Sequence, residues 1–145
     1  NSGFMIPQYT TAALVTKNKT LCFPASADSI PTSLGQEDHV SMGSISGRKL
    51  NEVLDNLEYI LAIELLTACQ AIEFRRPLKS SELLEFAHEH VRQFVSFAEE
   101  DRIFADDIEK IKGIIADFSF VERVNEFAKS KSVNLNGGYE DSFSL

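Results

Sequence analysis

Cysteine is scarce in this chain, with two among 145 residues, Cys22 and Cys69. Two thiols do not make a disulfide framework. Both read as small buried hydrophobes, Cys69 in particular because it lies in an apolar helical run. Clustered positive charge is missing too: 14 Lys and Arg stand against 22 Asp and Glu, and the formal charge is −8. The longest basic runs are the pairs Arg48-Lys49 and Arg75-Arg76. Phosphate contacts need gathered Lys and Arg, so a nucleic-acid partner is excluded. An anionic membrane surface is disfavoured for the same reason. No apolar run approaches the ~20 residues that span a bilayer, and no signal-peptide pattern opens the chain, which leaves the cytoplasm as the expected compartment. A Gly-rich phosphate loop, Gly-x-Ser-x-Gly and Cys-x-x-Cys are all absent.

What is present is ordinary for a soluble globular chain, 43% hydrophobic and 25% charged, and long enough to enclose one core. Asn1-Ser2-Gly3-Phe4-Met5-Ile6 has no initiator Met and runs straight into apolar material. Natural amino termini are usually more polar and loosely held, so the chain reads as a piece of a longer one.

The periodicity is helical throughout, and the expected class is all-α: a long central helix plus shorter ones, within a larger helical-bundle fold. Pro7 suits a first turn, and Tyr9 to Leu21 predicts a helix ended by Phe23-Pro24. Residues 24 to 40, rich in Ser, Pro, Asp and Gly, predict a loop; at ~17 residues it is longer than most structureless connections. Ser44 to Arg76 predicts one helix of about 33 residues and about 50 Å. Its stripe of Leu50, Val53, Leu54, Leu57, Ile60 and Leu61 repeats at i, i+3, i+4, i+7. From Tyr59 to Ile72 it is apolar nearly all round, as in a helix enclosed by partners from elsewhere in a longer chain or from other subunits.

Pro77 stops this helix. Ser80-Ser81-Glu82 opens another, with Leu83, Leu84, Ala87, Val91, Phe94 and Val95 as its buried side. Asp106 or Asp107 is expected to cap a fourth through Ile108, Ile111, Ile114 and Ile115. Ser119 opens a fifth through Val121, Val124, Phe127 and Ala128. The expected unit is residues 1–130, with 131–145 a non-native or disordered tail.

One polar constellation stands out: Gly35-Gln36-Glu37-Asp38-His39-Val40-Ser41-Met42-Gly43, just before the long helix. Its residue types suit an acid/base site, a metal site or a helix cap. Adjacent side chains rarely converge on one ion, so no metal is expected. Asp38 at the positive helix end reads as a cap, and on these residues alone capping takes precedence over catalysis. His88 and His90, two apart on a helix, project to different faces and predict a solvated surface rather than a chelate. Glu64, inside the apolar run, predicts a structural hydrogen bond. Glu99-Glu100-Asp101 and Asp106-Asp107 read as surface charge and caps.

Several blocks nevertheless resemble, in order and spacing, the histidine ammonia-lyases of the aromatic amino acid lyase family. They are Asn1 to Ile6, Pro24-Ala25-Ser26-Ala27-Asp28-Ser29, Gly35 to Gly43, Ala62-Ile63-Glu64-Leu65-Leu66 and Glu99-Glu100-Asp101-Arg102. The likeness covers roughly residues 1 to 130 and points to the C-terminal part of such an enzyme. The resemblance implies elimination of ammonia from L-histidine to give urocanate, as in histidine catabolism. It also implies a homotetramer with shared active sites, and a methylidene-imidazolone (MIO) electrophile formed from an Ala-Ser-Gly tripeptide. No Ala-Ser-Gly occurs here, the nearest approach being Ala25-Ser26-Ala27, so the chain by itself is expected to be inactive. By resemblance Glu37 is catalytic and lies near the substrate imidazole, either taking the β-proton or orienting the ring, with Met5 and Gln36 as further substrate-binding positions. For Met5, core packing is the competing role. Phenylalanine lyases resemble the same segment with Lys in place of Met5 and Gln in place of Glu37, which favours histidine. The alternatives are a tyrosine or phenylalanine ammonia-lyase or aminomutase, and a non-catalytic helical oligomerisation module.

Overall fold

Pro7 sits in the first turn of helix α1 (Met5–Leu21), where backbone N–H groups have no intrahelical partner and a missing donor is harmless. The computed structural model describes residues 2–25, 27, 29–37 and 39–135. Four more helices follow: α2 (Gly43–Glu73), α3 (Glu82–Arg92), α4 (Ala105–Ala116) and α5 (Ser119–Ser130). The all-α class stands. No strand occurs among the described residues; the only pairing outside helices there is an isolated bridge between Thr32 and Glu37.

The 31-residue α2, about 46 Å long at 1.5 Å per residue, is the axis. Helices α1 and α4 pack along it, and α3 packs on α5. The core gathers Ala62, Leu66 and Cys69 of α2, Val91 of α3, Val95, Ala98 and Phe104 from the connection, and Ile111 and Ile114 of α4. Only one face of α2 meets it. Leu50, Leu54, Leu57 and Leu61, expected to be buried, are each more than 40% exposed.

Polar side chains tie the helices at fixed points. Buried Asn56 accepts from Lys17 Nζ at 3.3 Å and donates to Asn18 Oδ1 at 2.7 Å, joining α1 to α2. Tyr59 donates to Glu109 Oε1 and Lys112 to Asp55 Oδ1, both at 2.6 Å, joining α2 to α4. The bond to Glu109 pushes the Tyr59 phenol up, and the bond to Asp55 does the same for the Lys112 ammonium. At the α2–α3 corner, Arg92 donates to Glu73 at 3.3 Å and to the Cys69 carbonyl at 2.9 Å. That carbonyl lies one turn before the end of α2, so Arg92 ties the end of α3 to the C-terminal part of the long helix.

Several expectations need correction. Cys22 is exposed, whereas Cys69 is buried as expected, and burial pushes its thiol up. His88 and His90 are buried, 5% and 8% exposed, rather than solvated. His88 Nε2 lies 3.0 Å from Glu73 Oε1, though not in hydrogen-bonding geometry, and Arg76 approaches its Nδ1 at 3.4 Å. His90 packs edge-on to Phe94 and near-parallel to Phe120, and its Nε2 has no hydrogen-bond partner among the described residues. Glu64 is exposed and needs no buried partner. Leu84, Phe94 and Val121 are exposed rather than buried. Neither Asp106 nor Asp107 caps α4; Asp107 is buried and pairs with Arg102 at 2.8 Å. Ser81 does cap α3, its Oγ accepting from Leu84 N at 3.3 Å.

The turn before α3 carries a pH prediction. Glu85 accepts from the Ser80 backbone N–H and from Arg76, each at 2.7 Å. Those two bonds, Ser80's first, hold its carboxyl below the ordinary glutamate range. A carboxyl depressed by folding stabilises the fold above its unfolded value, about 4.3, and that contribution is lost as pH falls through the folded value. The urea midpoint should therefore drop between about pH 6 and about pH 3.5, and Glu85→Gln should flatten that drop. An equal acid loss in the variant would assign the effect to other carboxyls.

Candidate functional site

The polar block is built on a tight, strained turn. Ser33 and Leu34 hold φ 53° and 57°, and Gly35 holds φ 84°. The left-handed region suits Gly35 and costs a non-glycine residue about 1–2 kcal/mol. Backbone bonds close the turn: Gly35 N to Thr32 O at 3.1 Å, Gln36 N to Ser33 O at 3.1 Å, and a reciprocal pair at 3.3 Å between Thr32 and Glu37. Val40 N donates to Ser29 Oγ at 3.0 Å further along. Lys49 of α2 donates to the Phe23 carbonyl, drawing the end of α1 toward the start of α2.

The main chain of Glu37 is thus pinned by Thr32 on both its N–H and its C=O. Its side chain is exposed and makes no hydrogen bond or ion pair among the described residues. An exposed carboxylate held by its backbone, with no acceptor capacity spent on the described residues, can receive a ligand N–H. Gln36 and His39 are exposed beside it. Asp38, expected to cap the long helix, lies outside the described residues, as does Ser26 of Ala25-Ser26-Ala27. The residue at the N-cap of α2 is Met42, without a side-chain cap.

Met5 stands at the first position of α1, 55% exposed, so it is not the buried core residue of the competing role. It lines a cavity of about 670 Å³ between the start of α1, Gln70 and Phe74 of the α2 end, and the connection from Phe97 to Phe104. Gln36 and Glu37 are not on that cavity's wall. Met5 and the Gln36–Glu37 pair therefore do not share that cavity. Two residues that sequence reasoning passed over build the cavity's floor. Gln70 donates to Ala98 O at 2.8 Å and accepts from Ala98 N at 3.1 Å, locking the connection to α2. Among the described residues no group of three His, Cys, Asp or Glu could hold a metal ion, and no helix is long and apolar enough to cross a membrane.

Residues 1–93, well over half of the chain, match the aromatic amino acid lyase family. The chain belongs to that family. A histidine ammonia-lyase of Desulfotalea psychrophila is 56% identical over 115 residues, 79% of this chain and 22% of that relative. The crystal structure of histidine ammonia-lyase from Trypanosoma cruzi is 46% identical with a TM-score of 0.85, covering 94% of this chain and 26% of that one. The tyrosine aminomutase structure from Streptomyces globisporus is 37% identical with a TM-score of 0.82, covering 87% and 24% respectively. The chain thus spans about a quarter or less of the length of these relatives.

Proposed function

We propose that this sequence is the C-terminal part of a histidine ammonia-lyase, the enzyme that eliminates ammonia from L-histidine to give urocanate in histidine catabolism. The observation that carries the reading is Glu37, backbone-pinned and exposed, with no side-chain hydrogen bond or ion pair among the described residues, in a chain 56% identical over 115 residues to a relative of that name. Glu37 accepts a hydrogen bond from the substrate imidazole N–H; its negative charge orients the ring and stabilises positive charge on it. A carboxylate so placed is also within its chemistry to take the weakly acidic β-proton. Gln36 beside it, and Met5 on its own cavity, are the further substrate-binding positions of this proposal.

The family's MIO electrophile, when present, supplies the electron sink for the departing amine. The residues here do not fit its formation, since Ala25-Ser26-Ala27 has Ala where the tripeptide needs Gly. In this proposal the group comes from another segment of the full-length enzyme.

A cytoplasmic homotetramer is the proposed assembly. Its support is the exposed row Leu50, Leu54, Leu57 and Leu61, whose alternating spacing of four and three is that of a helix–helix seam. Residues 131–145 are proposed to be a tail outside the lyase unit.

The test is turnover of histidine, tyrosine and phenylalanine by the full-length enzyme that carries this sequence, followed by absorbance of the conjugated product. Selective loss of ammonia from histidine is expected, with none from the 145-residue chain alone. Preference for tyrosine or phenylalanine would overturn the substrate assignment within the same family.

A further inference from the structure

Met5 is held from nearly 100 residues away. Ser2 N donates to Asp101 Oδ2 at 3.0 Å. Gly3 lies so close to the same residue that a Cβ on it would fall 2.7 Å from Asp101 Oδ1 and 2.9 Å from Phe104 Cε2. Phe4 packs on Phe104 with ring centroids 4.4 Å apart. Met5 N and Ile6 N then donate back to Ser2 O and Gly3 O, at 3.0 and 3.2 Å, so the first turn of α1 starts from these clamped residues.

The other half of the clamp is itself rigid. Gln70 fixes Ala98 by its two-point bond. Arg102 holds the connection from the far side, donating to Ser96 O at 2.8 Å, to Phe97 O at 3.3 Å and to Asp107 at 2.8 Å. Phe104 is buried in the core. Asp101 is therefore anchored on α2 and α4, and its contacts with Ser2 and Gly3 set where α1 begins. A polar tether and a glycine close approach at one carboxylate fix a position more narrowly than a helix end does on its own, because helix ends fray.

We infer that Asp101 is a positioning residue for substrate binding: it sets Met5 on the cavity wall by receiving the Ser2 N–H and abutting Gly3. The inference rests on the assignment of Met5 to the substrate pocket. Side chains that place a substrate must be held to well under 1 Å, and a shift of that size costs up to about 10²-fold.

Two methionines, Met5 and Met42, make the test direct. In the 145-residue chain labelled at the methionine methyl carbons, Asp101→Ala should shift the Met5 methyl signal and leave that of Met42 in place. Asp101→Asn keeps an acceptor for Ser2 N–H and should leave both near their original positions. Gly3→Ala, which pushes from the other side, should move the Met5 signal again. In the full-length enzyme Asp101→Ala should raise KM about 10-fold or more with a smaller change in kcat, and Asp101→Asn should recover most of it. Equal movement of both methyl signals, an unmoved Met5, or an unchanged KM would overturn the inference. If the unsubstituted enzyme prefers another aromatic amino acid, the histidine reading fails, while the methyl signals and the KM for that amino acid still decide the role of Asp101.

Discussion

Glu37→Gln in the full-length enzyme should lower kcat/KM for histidine by roughly 10²–10⁴-fold while leaving its thermal midpoint unchanged. The amide has nearly the volume of the carboxylate, so packing cannot account for the loss. The turn is also indifferent to the change, because Thr32 holds residue 37 through its N–H and C=O alone. What disappears is the negative charge and the capacity to take a proton. The split between constants separates the two chemical roles. If Glu37 removes the β-proton, the loss falls in kcat, since the interaction exists only in the transition state. If it orients the imidazole, KM rises with a smaller effect on kcat. A variant within a few-fold of the parent in both constants would return the Gly35 to Gly43 block to a purely structural role.

The helices are legible where they carry their own punctuation. Pro7 and Phe23-Pro24 bracket α1, Pro77 follows α2, and Ser81 and Ser119 open α3 and α5, each within a few residues of the observed end. Faces were less legible. Val91 and Val95 fit the expected stripe of α3 and are buried, yet His88, three and seven residues before them on that same stripe, is buried too, although its pairing with a polar His90 two residues on predicts a solvated surface. The periodicity held the signal; the polarity of imidazole masked it. Buried Asn56 and Gln70 were illegible for a different reason. Their partners, Asn18, Lys17 and Ala98, are 28 to 39 residues away, and no local pattern announces a tie made only when helices meet.

The candidate site divides in the same way. Met5, Gln36 and Glu37 came from resemblance, since a carboxylate in a polar loop has no periodicity to betray it. The turn that presents Glu37 has a local cue in Gly35, which accepts the positive φ, but nothing in the sequence announces that Ser33 and Leu34 adopt the same region. Asp101 read as surface charge, and it is exposed. Its importance follows from the absence of a side chain on Gly3, a relation visible only once the two segments are in contact.

Two leucines of one helix should respond very differently to the same substitution. Leu66 is 1% exposed in the core and Leu54 is 47% exposed on the free row. Leu66→Ala removes buried methyl groups and leaves a cavity, an expected loss of about 2–5 kcal/mol in the stability of the 145-residue chain. Leu54→Ala removes little that this chain buries, so at low concentration its effect should stay within about 0.5 kcal/mol. The ranking changes with assembly. At micromolar concentration the 145-residue chain should self-associate through the exposed row, and its unfolding midpoint should then rise with concentration. Leu54→Ala should abolish that dependence, whereas Leu66→Ala should lower the midpoint at every concentration. Sedimentation and denaturation on the three proteins measure both effects. A monomeric sedimentation profile for the unsubstituted chain would mean that the leucine row does not drive association, and the tetramer proposal would lose its physical support.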